Sequence, residues 1–233
     1  MVKQLIPNLI TLANLLCGVL ASLFAAVGHL PIAALFICLG IFFDFFDGLT
    51  ARLLGVTSPL GKELDSLADV VTSGVAPGLI LMAILWNNEI AQWIAYIALL
   101  IPLFAAYRLA KFNIDTRQSH SFLGLPTPAN ALIWAGLVTA FPYGETLSSS
   151  ATIILIIISI LTDILMVSDV PMFSLKFNFK DMSWKNNSTQ YIFLIGCAVI
   201  VAIARDWYSI SLIILWYILL SFILLAKKKL NAR

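Results

Sequence analysis

The sequence predicts an all-α integral membrane protein with about eight transmembrane helices. The first observation is composition: 61% of the 233 residues are hydrophobic and 11% are charged, whereas a soluble domain carries about 25% charged residues. The second is a mean hydropathy of +0.99, which comes from apolar runs of about 20 residues, the length that crosses a bilayer. These runs leave no room for a second domain, so residues 1–233 are treated as one transmembrane domain.

The predicted helices follow one another with short breaks. The apolar run Leu9–Val27 is too long for a secretory signal peptide, so we expect it to be retained as the first span. Gly55, Pro59 and Gly61 interrupt the chain after the second span. Longer polar segments lie at 114–127 and 168–189. The predicted spans are 8–27, 31–53, 63–87, 92–113, 128–142, 150–167, 190–205 and 207–226.

The basic residues predict the orientation in the membrane. With eight spans, every Lys and Arg except Arg205 falls on the side that holds both termini and the loops after spans 2, 4 and 6. By the positive-inside rule that side is cytoplasmic. We therefore expect a multi-pass protein of the cell (inner) membrane, with both termini and the 168–189 loop in the cytoplasm.

Four aspartates interrupt the apolar pattern near the second break. Asp44 and Asp47 are three residues apart, and Asp65 and Asp69 are four apart, so each pair shares one face of a helix. A carboxylate at the bilayer centre costs roughly 3 kcal/mol even on the lenient insertion scale. The nearby cations, Arg52 and Lys62, are too few to pair with all four. Hard oxygen ligands in such a cluster favour a site for divalent cations over an ion-pair network.

The same residues carry a family resemblance. The pattern Asp44-x2-Asp47-Gly48-x2-Ala51-Arg52-x8-Gly61-x3-Asp65-x3-Asp69 resembles the signature of the CDP-alcohol phosphotransferases, with every fixed position present. Further segments resemble the branch of that family that makes phosphatidylserine, although Thr72-Ser73 departs from the serine and aromatic residue expected there. These segments are Ile6–Thr11, Asn14–Gly18, Asp65–Val71, Gly74–Pro77, Arg108–Asn113, Gly124–Pro128, Met166–Ser168, Val170–Pro171 and Ser174–Lys176.

The resemblance implies a chemistry and a set of site residues. It implies two divalent ions, Mg²⁺ or Mn²⁺, with Ca²⁺ fitting the same ligands, held by Asp44, Asp47, Asp65 and Asp69. Asp69 is also implied to be the general base that accepts the proton of the serine hydroxyl. The implied binding site for the CDP part of CDP-diacylglycerol consists of Asn8, Thr11, Asp44, Gly48, Ala51, Arg52 and Asp65. Helix capping by Asn8 and Thr11, and interfacial anchoring by Arg52, are the structural alternatives.

The acceptor site is less specific in the sequence. The carboxylate of serine needs a cation, and the candidates are Arg108, Lys111, Asn113 and Lys176. Anchoring of the helix end at the membrane surface is their alternative role, and for Lys176 it is binding of a lipid phosphate. The expected partners are CDP-diacylglycerol, L-serine, membrane lipid and a second copy of the chain, with no nucleic acid.

Two other functions remain open from the sequence. A sibling enzyme would use glycerol 3-phosphate or inositol phosphate as the acceptor, and such a phosphate demands a denser basic pocket. A divalent-cation transporter would also explain buried aspartates, but it gives no reason for Gly48, Ala51 and Arg52 at their offsets.

Overall fold

The computed structural model describes residues 2–56, 58–114, 122–174 and 184–231, and it is a helical bundle with one pair of very short strands. A π-helical segment, Val71–Val75, joins α3 to α4, and a 3-10 helix, Gln92–Leu99, runs into α5. The elements are α1 (Val2–Ala26), α2 (Leu30–Leu54), α3 (Pro59–Val70), α4 (Ala76–Leu85), α5 (Leu100–Ile114), β1 (Phe122–Leu123), α6 (Thr127–Gly136), α7 (Ser149–Val167), β2 (Pro171–Met172), α8 (Trp184–Ala204) and α9 (Tyr208–Asn231).

The prediction of an all-α, multi-pass membrane protein is confirmed. Within the described ranges, seven helical segments are long and apolar enough to cross a membrane. Two of them combine elements: α3, the π-helical segment and α4 form the span Pro59–Leu85, and the 3-10 helix with α5 forms Gln92–Ile114. Seven of the predicted spans therefore match, with shifts of a few residues at their ends.

The predicted span 128–142 is shorter than expected. Its helix, α6, has 10 residues, which at 1.5 Å per residue give about 15 Å, half the hydrocarbon thickness. Protein surrounds this helix: Ala131, Trp134 and Ala135 are fully buried. Because other helices cover α6, its ends need not reach the membrane surface to keep their backbone groups away from lipid.

Contacts between connections show which ends of the helices lie together. At one end, the backbone N–H of Glu89 donates to the Leu147 carbonyl at 3.1 Å, and the Glu89 carboxylate accepts from the Ser149 N–H at 2.8 Å. At the other end, Lys62 Nζ donates to the Asn113 carbonyl at 2.7 Å. From the end that holds Glu89, the chain crosses the bundle through α5 to Asn113. It returns to the first end through α6 and the turn after it, where Leu147 contacts Glu89. Although α6 is short, the chain therefore still changes ends between α5 and α7.

The turn between α2 and α3 is fixed by local chemistry on both sides. Gly55 adopts the left-handed conformation, with φ of 62°, and donates to the Arg52 carbonyl at 3.2 Å, while Val56 donates to the Ala51 carbonyl at 3.0 Å. This pattern is a Schellman C-cap. Ser58 then accepts a hydrogen bond from the Gly61 N–H at 2.9 Å and caps α3. The two acidic helices therefore meet at a defined corner.

A close three-way contact holds α1 and α2 against the π-helical segment. A Cβ at Gly18 would lie 2.3 Å from Thr72 Oγ1, and one at Gly40 would lie 2.4 Å from Thr72 Cγ2. Only glycine leaves room for Thr72 at both positions. Its hydroxyl donates to the Asn14 carbonyl at 3.1 Å, so this contact ties α1 to the span that carries Asp65 and Asp69.

The short strands were not predicted. β1 and β2 pair antiparallel, with Phe122 opposite Met172 and Leu123 opposite Pro171. They lie within the predicted polar segments 114–127 and 168–189. Two residues are too few to show the alternation that marks a strand in a sequence.

Candidate active site

The carboxylates of α2 and α3 converge on one point. Ligand oxygens of Asp44, Asp47 and Asp65 all lie within 4.8 Å of one another. The first two project from one turn of α2, and the third projects from α3 across the corner made by Gly55 and Ser58. Two neighbouring helices thus supply one cluster of hard oxygen atoms inside membrane-spanning segments.

This cluster fits a divalent cation. In the described part of the chain, no Lys or Arg nitrogen lies within 4.0 Å of the four aspartates; the ion pair that does form joins Lys111 to Asp169. Asp65 Oδ1 is buried and has no hydrogen-bond partner. Carboxylates this close repel one another unless a cation lies between them. Oxygen ligands without sulfur or nitrogen suit Mg²⁺, Mn²⁺ or Ca²⁺.

Residues of α1 orient two of the acids. Thr11 Oγ1 donates to Asp47 Oδ2 at 2.6 Å, and Asn14 Nδ2 donates to Asp69 Oδ1 at 3.2 Å. Thr11 and Asn14 are three residues apart and lie on one face of α1. Asp69 is 8% exposed and is not a member of the converging group. The four acids therefore divide into a cluster of three and one carboxylate held by an amide.

A cleft opens beside the cluster. Its volume is about 240 Å³, and its walls come from the first turns of α1, the end of α2 and the start of α3. No atom lies within 4 Å of a Cβ built on Gly48, so α2 presents bare backbone to this space. The lining residues are Gln4, Pro7, Asn8, Thr11, Asp47, Gly48, Ala51, Val56, Ser58, Gly61, Lys62 and Asp65.

Most of the residues predicted to bind CDP line this cleft. Asn8, Thr11, Gly48, Ala51 and Asp65 are all among them. Asp44 instead lies in the carboxylate cluster. Arg52 is exposed near the end of α2 and is not one of the lining residues.

Several lining residues had no predicted role in binding CDP. Gln4 and Pro7 come from the first turns of α1, and Val56 and Ser58 come from the turn after α2. Lys62 adds a cation to a cleft whose acidic lining residues are Asp47 and Asp65. Its position directly after the signature residue Gly61 is the one signal in the sequence that could have identified it.

Three of the four predicted serine-pocket residues, Arg108, Lys111 and Asn113, lie on α5 and do not line the cleft. The side chain of Arg108 is buried, and its Nη1 donates to the carbonyls of Leu123 and Met166. Lys111 Nζ contacts the Val167 carbonyl and Asp169 Oδ1, each at 3.1 Å.

Asn113 and Lys176 are the other two candidates for the serine pocket. Asn113 Nδ2 donates to Ser66 Oγ at 2.9 Å, which ties the end of α5 to α3. Lys176 lies outside the described residues. The described candidates therefore join α5 to α3, to β1, to the end of α7 and to Asp169, which follows α7.

Comparison with known proteins gives one consistent result. A family model for CDP-alcohol phosphatidyltransferases matches residues 4–171. The chain is 37% identical to the CDP-diacylglycerol–serine O-phosphatidyltransferase of Bacillus subtilis over 151 residues, which are 63% of this chain and 81% of the relative. The protein of that name from Helicobacter pylori is 34% identical over 184 residues, 77% of this chain and 75% of the relative. The one from Methanocaldococcus jannaschii is 32% identical over 219 residues, 94% of both chains.

Proposed function

Because this chain belongs to the CDP-alcohol phosphatidyltransferase family, we propose that it transfers the phosphatidyl group of CDP-diacylglycerol to the hydroxyl of L-serine and releases CMP. Three relatives that carry the name of this activity support the choice of substrates, and one of them aligns over 94% of both chains. The observation that carries the proposal is the convergence of Asp44, Asp47 and Asp65 beside a cleft lined by the signature residues.

In this proposal the cleft holds the nucleotide and the cluster holds the metal. The bare backbone at Gly48 and the small side chain of Ala51 leave a flat wall for the cytidine. Lys62, at the cleft, and Arg52, near its rim, offer positive charge to the phosphates. Asp44, Asp47 and Asp65 would hold Mg²⁺ or Mn²⁺, and in this proposal Asp69 would add a further ligand oxygen. When bound, the two divalent ions of this proposal would neutralise the diphosphate and make CMP a better leaving group.

In this proposal Asp69 is the general base. Asn14 engages Oδ1, which leaves Oδ2 to take the proton from the serine hydroxyl. As that proton moves to Asp69, the serine oxygen forms a bond to the phosphorus that carries the diacylglycerol. The bond from this phosphorus to the oxygen of CMP breaks, and CMP leaves with the electron pair. A hydroxyl is a poor nucleophile at neutral pH, so a placed base contributes about 10²–10⁴-fold.

The serine pocket belongs in this proposal near the end of α5. Lys111 has a side chain that is 29% exposed, so it can exchange its contact with Asp169 for the carboxylate of serine. Arg108, Asn113 and Lys176 are the other proposed contributors. In this account Arg108 and Asn113 fix the end of α5 and set the distance between Lys111 and the base.

The proposed setting is the inner membrane, with the cleft open to the cytoplasm and the enzyme a homodimer. Arg52, Lys62 and Lys111 all lie near the end of the bundle that carries the cleft, which supports a cytoplasmic opening. For the dimer, α8 offers an apolar surface, because only 11% of the membrane-spanning segment Asn187–Ala204 is buried within the chain. Mass measurement of the purified protein in detergent tests the dimer.

A substrate panel tests the proposed activity. Purified protein in mixed micelles with CDP-diacylglycerol receives labelled serine, glycerol 3-phosphate or inositol phosphate, and CMP and labelled lipid are measured with and without a chelator. We expect labelled phosphatidylserine and an equal amount of CMP, loss of both with the chelator, and recovery with Mg²⁺ or Mn²⁺. Transfer only to a phosphate-bearing acceptor contradicts the choice of serine. Uptake of Mn²⁺ by proteoliposomes without CMP release supports a transporter instead.

A further inference from the structure

We infer that Asn14 is a positioning residue for the general base: its amide fixes the carboxylate of Asp69 so that Oδ2 faces the acceptor hydroxyl. The inference rests on the proposed function, because it assigns a task to a residue that acts through Asp69. The contact that motivates it is the hydrogen bond from Asn14 Nδ2 to Asp69 Oδ1, 3.2 Å long and buried.

The burial of Asn14 shows that it works through another residue. Its side chain is 0% exposed, and it does not line the cleft. It therefore cannot touch a nucleotide in that space, unlike Thr11, which lines the cleft and donates to Asp47.

Asp69 determines which end of the Asn14 amide points toward it. Asp69 Oδ1 is an acceptor when ionised, so the Asn14 side chain must present its N–H₂ group rather than its carbonyl. The carbonyl then points away, and Asn14 Oδ1 is buried without a partner. A buried polar atom without a partner destabilises a fold. An apolar residue here would avoid that penalty, so the amide has to be explained by what it does to Asp69.

The surroundings prevent Asn14 from turning away. Thr72 donates to the backbone carbonyl of Asn14, and a Cβ built on Gly40 would lie 3.0 Å from Asn14 Oδ1. The π-helical segment thus holds the backbone of Asn14, and α2 lies close against its amide oxygen. Because Thr72 is only three residues after Asp69, the same span carries both the base and the group that fixes its partner.

Two variants test the inference. Asn14→Leu keeps most of the volume and removes the amide, and Asn14→Ala removes the amide together with most of the side chain, so neither variant has a donor for Asp69. In mixed micelles with CDP-diacylglycerol, we measure kcat, the KM for serine and, by calorimetry, the Mn²⁺-dependent affinity for CDP. We expect each variant to lower kcat by about 10- to 100-fold, with KM and CDP affinity within about twofold of the wild type.

A control separates positioning from stability. Ser211→Ala removes another buried hydrogen bond, from Ser211 Oγ to the Ile133 carbonyl at 2.6 Å, which joins α9 to α6. This variant should keep its kcat even if its thermal midpoint falls. An Asn14 variant that folds and keeps its kcat overturns the inference, as does one that loses CDP affinity as much as kcat.

The inference and the proposed function fail in different ways. A wild type that forms no phosphatidylserine contradicts the proposed function. If that wild type uses another alcohol, the same comparison of kcat is made with that alcohol, since any hydroxyl acceptor needs the base. A fully active Asn14→Leu protein, beside an active wild type, contradicts only the inference.

Discussion

At the scale of single residues, the four aspartates differ in their partners. Asp44, Asp47 and Asp65 face one another within 4.8 Å, which is unfavourable without a cation between them. Asp69 accepts a hydrogen bond from the Asn14 amide and lies outside this converging group. Asp47 also accepts from a neutral donor, the Thr11 hydroxyl, so the feature that distinguishes Asp69 is its position outside the group of three. Substitution at the two kinds of position should therefore give different phenotypes.

The first prediction concerns the cluster. Asp65→Asn replaces a charged ligand oxygen with an amide and should weaken Mn²⁺ binding by at least roughly 100-fold, since even outer contacts of a metal site are worth 10- to 100-fold. Titration of Mn²⁺ by electron paramagnetic resonance measures this. Glu63→Gln is the matched control, because Glu63 lies on the same helix, is exposed and does not line the cleft. Equal binding by both variants would contradict the assignment of Asp65.

The second prediction concerns the base. Asp69→Asn should lower turnover by about 10²–10⁴-fold, because an amide cannot accept the serine proton. Mn²⁺-dependent binding of CDP should weaken by no more than about tenfold, less than in Asp65→Asn, because the three converging carboxylates remain. Calorimetry with CDP, run beside the turnover assay, checks both parts. Near-normal turnover would remove Asp69 from the role of base.

The residue-level predictions had two sources. Spacing along a helix predicted that Asp44 and Asp47 share one face, and the family resemblance implied that Gly48 and Ala51 belong to the nucleotide site. Spacing alone had a limit. It could not identify Ser58 or Val56 as cleft residues, since the turn sets their position. The tasks of Arg108 and Lys111 were also hidden, because their contacts in the structure lie 15 or more residues away along the chain.

At the scale of the helix, α2 has two glycines with opposite surroundings. A Cβ at Gly40 would lie 2.4 Å from Thr72 Cγ2, whereas a Cβ at Gly48 meets no atom within 4 Å. The two positions are eight residues apart on the same helix. The first is therefore needed for packing between helices, and the second leaves open space that a ligand can fill.

The third prediction compares these glycines. Gly40→Ala should lower stability by about 1–3 kcal/mol through overpacking, which a lower thermal midpoint in detergent reveals. Gly48→Ala should leave stability equal or raise it by up to about 1 kcal/mol. It should weaken CDP binding by about tenfold, or about 1.4 kcal/mol, because the methyl group takes space beside the cytidine. Normal CDP affinity in Gly48→Ala would contradict the proposed position of the nucleotide.

Hydropathy predicted the long helices well and α6 less well. A run of apolar residues is the same signal whether lipid or protein surrounds it, so 128–142 was predicted as a full span. The structure gives a ten-residue helix instead, packed against α2, α4 and α9 with Trp134 fully buried. The π-helical segment at Val71–Val75 also has no local signal, because it arises where Thr72 packs against α1 and α2.

At the scale of the whole molecule, contacts divide the connections between two ends of the bundle. The turn at Gly28 packs against Tyr143, and Glu89 reaches Ser149, so these three connections share one end. The cleft, the end of α5 and the end of α7 share the other, through Lys62–Asn113 and Lys111–Asp169. Among the described cations, Arg52, Lys62 and Lys111 belong to the second end, and by the positive-inside rule we propose that this end is cytoplasmic.

The fourth prediction tests this orientation. In a parent in which Cys17, Cys38 and Cys197 are replaced by alanine, Glu145→Cys should react with a membrane-impermeant maleimide in intact cells. Lys227→Cys should react only after the membrane is opened, because α7, α8 and α9 separate the two positions. Both side chains are exposed in the structure, so a lack of reaction reports the membrane and not burial. The reverse pattern would place the cleft outside the cell, where cytoplasmic serine could not reach Asp69.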